Sequence, residues 1–335
     1  MLTFFFIKAS HKLGIIDIPN QRSLHDTPKP RTGGLAILIA LFVGLFILYD
    51  EINIGLLSIL PYGLVILAVA FVDDVYSISA LLRFTLQIAV AILFVWQGIS
   101  LEVLSLPGWD VPLNYFMAST VTVIFIVWVV NLYNFMDGMD GFASGMAIIG
   151  FGTFAILSAI QSEFRFAILN LIVVAAALGF IIFNLPSAKI FLGDVGSTLF
   201  GLLVALFILW ADVNNIFPLW LGMIVFMPFF LDATVTLFKR ILKKEKVWQA
   251  HRTHYYQRLV LLGFGHKRTL ILEYTWMLVC SMVSIVLLKN KNSVMEWVII
   301  TLFTVLSITV LVYIDIKTRN NIKNKHYRIK IGNTY

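Results

Sequence analysis

Apolar residues run through this chain in long stretches broken by short polar connections. Ten stretches read as membrane-crossing helices: 33–49, 54–72, 84–98, 116–130, 142–160, 166–183, 198–210, 216–238, 270–288 and 297–314. A bilayer core of about 30 Å takes roughly 20 helical residues at about 1.5 Å each. Inside lipid the backbone finds no water, so helices that close their own hydrogen bonds are expected, and the alternating pattern of a membrane barrel is absent. The predicted fold is an all-α polytopic integral membrane protein of about ten transmembrane helices. It is read as one transmembrane domain over 1–335, with a polar N-terminal loop (1–32), a basic loop (239–269) and a basic tail (315–335). MLTFFFI at the start is too short to span and is not a persuasive signal peptide; Phe4 to Ile7 suit an interfacial dip, or a lost or shortened first helix. No repeat of 20 to 50 residues and no low-complexity tract is present.

Charge in the connections sets the orientation. The segment before 33, then 73–83, 131–141, 184–197, 239–269 and the tail after 314 hold 5, 1, 0, 1, 9 and 6 Lys and Arg, 22 of the 25. The other face has only Arg165, Lys289 and Lys291. Cytoplasmic connections retain positive charge, so both termini and the active site are expected in the cytoplasm, under a plasma (inner) membrane. Composition agrees: 60% of the 335 residues are hydrophobic and 13% charged, with a mean hydropathy of +0.91. A soluble domain averages about 25% charged residues, and a disordered chain needs more charge still. The net charge of +7 is mostly this topology signal; with no recognition motif beside the cations, nucleic acid is not an expected partner. The single cysteine, Cys280, falls in a predicted span and excludes an intrachain disulfide.

Against that positive face, the small loops are acidic. Asp73, Asp74, Asp137, Asp140 and Asp194 lie in three loops whose cations are Arg83 and Lys189. If these loops converge, a divalent cation or a protonated carboxyl would relieve the repulsion; if they do not, the five are solvated loop residues. FVDDVYSIS (71–79) ends a span in adjacent carboxylates, suited to deprotonating a phosphate or holding Mg²⁺. Arg83 and Gln87 follow one turn apart; Arg83 either neutralises an anionic headgroup or merely obeys the orientation rule. NLYNFMDGMDGFASG (131–145) sets Asn131, Asn134, Asp137 and Asp140 three apart, a stripe on one helical side, with Gly138 and Gly141 free to let backbone approach a ligand. A polar cap followed by a glycine turn is its bland reading. FLGDVGS (191–197) gives a tight turn at Gly193 and Gly196, a carboxylate at Asp194, and Ser197 as cap of a helix whose N-terminus favours phosphate. Phe191 is either core or a ring that stacks a nucleobase. HRTHYYQRL (251–259) places His251, Arg252, His254 and Arg258 as a diphosphate-binding set; zinc lacks a third soft ligand. Asp232, in an apolar span, either snorkels, pairs with Arg240 or serves a site.

DDVYSIS, NLYNFMDGMDG, FLGDVGS and HRTHYYQRL, in this order and on one face, resemble the polyprenyl-phosphate N-acetylhexosamine-1-phosphate transferases, and IPNQRSLHDTPKPRTGG (18–34) is similar to that family's first cytoplasmic loop. The likeness covers about residues 14 to 260. It implies transfer of an N-acetylhexosamine 1-phosphate from a UDP-sugar to undecaprenyl phosphate with Mg²⁺ (or Mn²⁺ in its place), releasing UMP. By the same resemblance Asp73 and Asp74 activate the lipid phosphate or assist the metal, and Asp194 binds the metal with Asp74. Asn131, Asn134, Asp137 and Asp140 face the nucleotide, Phe191 stacks uracil, and His251, Arg252 and His254 lie near the diphosphate and sugar; Gly193, Ser197 and Arg83 stay substrate-binding candidates on the residue reading alone. A homodimer is common among such proteins. Two departures stand out. The lipid I branch has three consecutive His followed by Phe-Glu in the last loop, whereas HRTHYYQRL looks like the branch that initiates O-antigen, capsule or other surface polysaccharides; and the family's first span is missing. Outside this reading stand the same chemistry on a deoxy N-acetylhexosamine, an ion-coupled transporter, which would carry its carboxylates at the midplane of repeated halves, and a scaffold, which has no use for the four motifs.

Overall fold

A computed structural model describes residues 1–13, 15–19, 27–52, 55, 58, 60–76, 78–246, 251–290 and 292–332. In chain order the helices are α1 (Leu2–Leu13), α2 (Gly33–Ile47), α3 (Tyr49–Ile52), α4 (Leu60–Tyr76), α5 (Ala80–Trp96), α6 (Tyr115–Phe135), α7 (Phe142–Ile160), α8 (Phe164–Asn184), α9 (Gly193–Val213), α10 (Leu219–Val225), α11 (Met227–Leu242), α12 (Tyr255–Leu259), α13 (Gly265–Lys289) and α14 (Ser293–Gly332). Two small antiparallel hairpins, β1 (Ile16–Asp17) with β2 (Lys29–Pro30) and β3 (Val103–Leu106) with β4 (Trp109–Pro112), are the only strands among the described residues, an addition to the all-helical expectation.

Among the described residues six helices are long and apolar enough to cross a membrane, and a seventh span is counted if the bent pair α10 and α11 is one crossing. α2, α4 and α5 coincide with three more of the expected runs but have 15, 17 and 17 residues. The run expected as one span at 216–238 is broken: α10 and α11 meet at 88°. Pro228 enters at the first turn of α11, where its missing N–H and ring prevent the preceding turn from continuing as helix.

The bundle is built around α9. Of its apolar window 83% is inside the protein, against 17% for α14, which lies at the edge. Two glycines let α2 reach that axis: a Cβ on Gly34 would fall 2.2 Å from the Gly196 backbone nitrogen, and one on Gly196 would fall 2.9 Å from the Gly34 Cα. Small residues facing each other are how helices approach closely in lipid. Gly196 therefore serves packing inside α9, not the turn expected of it. Contacts sort the connections into two ends. Pro30 and Phe191, Asp74 and Asp194, and Asp140 and Ala188 meet at one end; Trp297 with Pro107, Gln161 with Ile216, and Asp212 with Leu219 meet at the other.

Candidate active site

The first turn of α9 organises the acidic loops. Gly193 has φ +74, and a Cβ there would lie 2.2 Å from the Arg31 carbonyl oxygen, so only glycine makes this turn. The N–H groups of Asp194 and Val195 donate to the Asp74 carboxylate at 3.0 and 3.1 Å. Asp74 thus caps α9 from the last turn of α4, its negative charge opposing the positive end of the helix. Ser197, expected as the cap, lies one turn inside, where its hydroxyl donates to the Gly193 carbonyl at 3.1 Å. The Arg31 guanidinium stands 3.2 Å from Asp74 Oδ1 and 3.5 Å from Asp194 Oδ2, bridging the two acids.

The four-residue stripe divides. α6 ends at Phe135, so Asn131 and Asn134 are helical while Asp137 and Asp140 sit in the loop before α7. Asn131 donates to Gln87 Oε1 at 2.6 Å, tying α6 to α5. Asn134 donates to Asp194 Oδ1 and Ser197 Oγ, both at 2.9 Å. Burial and then the Asp194 charge push the Asp137 carboxyl well above the usual carboxylate range, with Asp74 and Asp140 adding to the rise and Arg31 opposing it. Asp140 accepts from the Ala188 N–H at 3.0 Å and holds the loop before α9. Gly141 turns the chain into α7 with φ +76, and its N–H donates to Asn184 Oδ1 at 3.1 Å.

Two cavities open here. The larger, about 180 Å³, is lined by Arg31, Asn134, Asp137, Asp140, Phe191 and Asp194 among others. The smaller, about 50 Å³, joins an apolar wall of Ile66, Val69, Ala70 and Leu86 to Asp73 and Arg83. Asn134 and Asp194 line both. Asp73 is buried, accepting from the Ile78 N–H at 2.7 Å, and its other oxygen holds Arg83 at 2.5 Å.

A metal fits one part of this constellation. Among the described residues no three His, Cys, Asp or Glu side chains form a ready-made cage. Mg²⁺, however, uses one or two carboxylates with substrate phosphates and water rather than an all-protein cage. Asp194 and Asp137 line the larger cavity, whereas Asp74, expected with Asp194 as the metal pair, turns both oxygens to α9 and does not line it; Asp194 and Asp137 are the carboxyls that would hold such an ion.

The basic loop is used differently. His254, 3% exposed, gives its Nδ1 edge to Asp232 at 3.0 Å, and the same carboxylate accepts from the N–H groups of Tyr255 and Tyr256 at 2.9 and 3.0 Å. Asp232 therefore anchors α12; Arg240 bonds Glu245 instead, at 2.9 Å. His251 meets the Thr253 hydroxyl at 2.8 Å, and burial, with the nearby His254 and Arg240 charges, pulls its imidazole down to about 4. Arg252 is exposed. None of the three lines either cavity; Gln257 and His266 reach the larger one instead. Arg258 turns to α14, 2.7 Å from Asp315. The sequence left Arg31, Gln257 and His266 unmarked. For Arg31 a signal existed, a cation just before the Thr-Gly-Gly that opens α2; for the other two it did not, because only the turn between α12 and α13 brings them in.

The profile of glycosyl transferase family 4 matches residues 56–212. A Bacillus subtilis protein named as a probable undecaprenyl-phosphate N-acetylglucosaminyl 1-phosphate transferase is 31% identical, over 82% of this chain and 78% of the relative. A decaprenyl-phosphate N-acetylglucosaminephosphotransferase of Mycobacterium tuberculosis is 28% identical, over 79% of this chain and 74% of the relative. The undecaprenyl-phosphate alpha-N-acetylglucosaminyl 1-phosphate transferase of Escherichia coli K12 is 27% identical, over 90% and 84%.

Proposed function

Because the chain belongs to the polyprenyl-phosphate N-acetylhexosamine-1-phosphate transferases of glycosyl transferase family 4, we propose that it transfers N-acetylglucosamine 1-phosphate from UDP-GlcNAc to undecaprenyl phosphate. UMP is released, and the lipid diphosphate sugar starts a cell-surface polysaccharide. The reaction takes place at the cytoplasmic face of the plasma (inner) membrane, on a bundle of ten crossings with both termini cytoplasmic.

The observation that supports this reading is the junction of the two cavities at Asn134 and Asp194. The larger is polar and takes the nucleotide sugar, with Phe191 as the stacking ring for the base and Arg31 as the cation for the diphosphate. The smaller has an apolar wall for the start of a prenyl chain and Arg83, fixed by Asp73, for its phosphate. A phosphate oxygen of the lipid attacks the sugar-bearing phosphorus; that P–O bond forms as the bond from the same phosphorus to the oxygen of UMP breaks. Little covalent chemistry falls to the protein, and holding the two phosphates in line while neutralising their charge is most of catalysis. Asp73 keeps the Arg83 guanidinium in place, Asn134 fixes the Asp194 carboxylate, and Arg31 balances two acids and the incoming diphosphate. Asp194 and Asp137 would hold Mg²⁺ or Mn²⁺, which neutralises phosphoryl charge when bound.

The test is purified protein in detergent with undecaprenyl phosphate, Mg²⁺ and a panel of UDP-GlcNAc, UDP-GalNAc and a deoxy N-acetylhexosamine donor, reading UMP and the lipid product by mass. UMP formed with a matching lipid diphosphate GlcNAc supports the reading. A folded sample that makes neither from any donor overturns it, and turnover of the deoxy donor alone reassigns the sugar.

A further inference from the structure

We propose that His266, in the first turn of α13, hydrogen-bonds the nucleotide-sugar donor in the larger cavity, a contact that rests on the donor reading above. Two observations independent of the four motifs lead there. His266 lines the cavity, and its ring Nδ1 is a buried atom with no hydrogen-bond partner. A buried polar atom without a partner is costly to keep, and a small turn of a ring that already lines a ligand cavity lets a bound donor supply that partner.

The backbone explains how the ring is aimed. His266, Leu270 and Tyr274 are four apart on α13, so they share one face. Tyr274 donates its hydroxyl to the Gly141 carbonyl at 2.6 Å, and a Cβ on Gly141 would lie 3.2 Å from the Leu270 side chain. Two of the three are therefore packed against the end of the Asp137–Gly141 loop, and His266, one turn nearer the helix start, lines the same cavity as Asp137 and Asp140. The preceding turn has glycines at φ +97 (Gly263) and +69 (Gly265), conformations that side-chain-bearing residues rarely adopt. They let the chain kink between α12 and α13 at this point. Gln257, Phe191 and Arg31 line the same cavity. Imidazole suits a hydroxyl or amide of the donor, either on the uridine or on the amino sugar, since one nitrogen accepts and the other donates.

The experiment is initial-rate kinetics of the full-length enzyme carrying His266→Ala or His266→Gln, with calorimetric titration of UDP-GlcNAc and of UMP. One ordinary hydrogen bond corresponds to about tenfold in affinity. The expected result is a KM for the donor raised about tenfold in His266→Ala, an unchanged KM for undecaprenyl phosphate, and partial recovery in His266→Gln, whose amide also bonds. UMP affinity lost in step places the contact on the nucleotide; UMP affinity retained while UDP-GlcNAc weakens places it on the sugar. An unchanged donor KM and affinity in a variant with wild-type melting behaviour overturns the proposal. If the wild type binds UDP-GlcNAc and releases no UMP, the transferase reading fails, and loss of that binding in His266→Ala still upholds the contact.

Discussion

Both the acidic loops and the basic loop place charge at the same end of the bundle, yet their counter-charges differ. In the basic loop the partners are internal: His254 has Asp232, Arg258 has Asp315, and the Lys239 ammonium meets Asp315 and the Tyr255 hydroxyl. In the acidic loops Asp74, Asp194, Asp137 and Asp17 all act on Arg31, and Asp140 acts on Asp137. Carboxyls crowded around one guanidinium repel one another, which pushes the Asp137 carboxyl up and makes their cavity a place where a bound cation would be favoured. Charge whose partners lie in the fold holds helices together; the carboxyls that line the cavity are the ones proposed for the chemistry.

Variants separate the two regions, and the largest effect is expected in the acidic one. Asp194→Asn or Asp137→Asn should lower kcat for UMP release by about 10³-fold, the scale of losing a preorganised charge-stabilising group, with an unchanged melting temperature; equal loss of folding would erase the distinction. Next, Asp232→Ala strips a buried charge partner from His254 and two N–H groups, so denaturant unfolding in detergent should show about 3–5 kcal/mol lost. A stable Asp232→Ala protein with slow turnover would instead move Asp232 into the site. A smaller effect follows from His251. Its folded value of about 4 lies below the ordinary 6.5, so below pH 6.5 the unfolded chain takes a proton the folded chain refuses. Stability is thus full above pH 6.5 and falls as pH drops toward 4. His251→Gln should flatten that part of a melting-temperature profile. Smallest of all, Arg252→Ala should change kcat and the donor KM by less than about threefold, as for an exposed charge outside both cavities; a tenfold rise in donor KM would return the basic motif to the diphosphate.

The sequence exposes the acidic region well because carboxylates on a positive face are anomalous wherever they fold. Asp137 and Asp194 could be picked out without coordinates, as could the apolar helices. What could not be read is how shared groups are divided. Ser197 suits the α9 cap on spacing, and only the packing of α4 against α9 gives the role to Asp74. The basic motif reads as ligand-binding because Asp232, its internal partner, is 19 residues upstream on a different helix. The break at Pro228 hides inside an apolar run that hydropathy alone joins into one span. Arg31 and His266 enter through turns at glycines, Gly193 on one side and Gly265 on the other, and neither carries a periodic signal.

The central claim, that Asp194 with Asp137 holds the divalent cation of a phosphoryl transfer, is tested most directly by titrating Mg²⁺ into the UMP-release reaction of the wild type and of Asp194→Asn. The account predicts a saturable Mg²⁺ requirement in the wild type and, in whatever activity the variant retains, a half-saturating concentration raised at least about tenfold, the loss expected from removing a carboxylate ligand. Wild-type turnover that persists in a chelator, or Mg²⁺ curves with the same midpoint in both proteins, would contradict it.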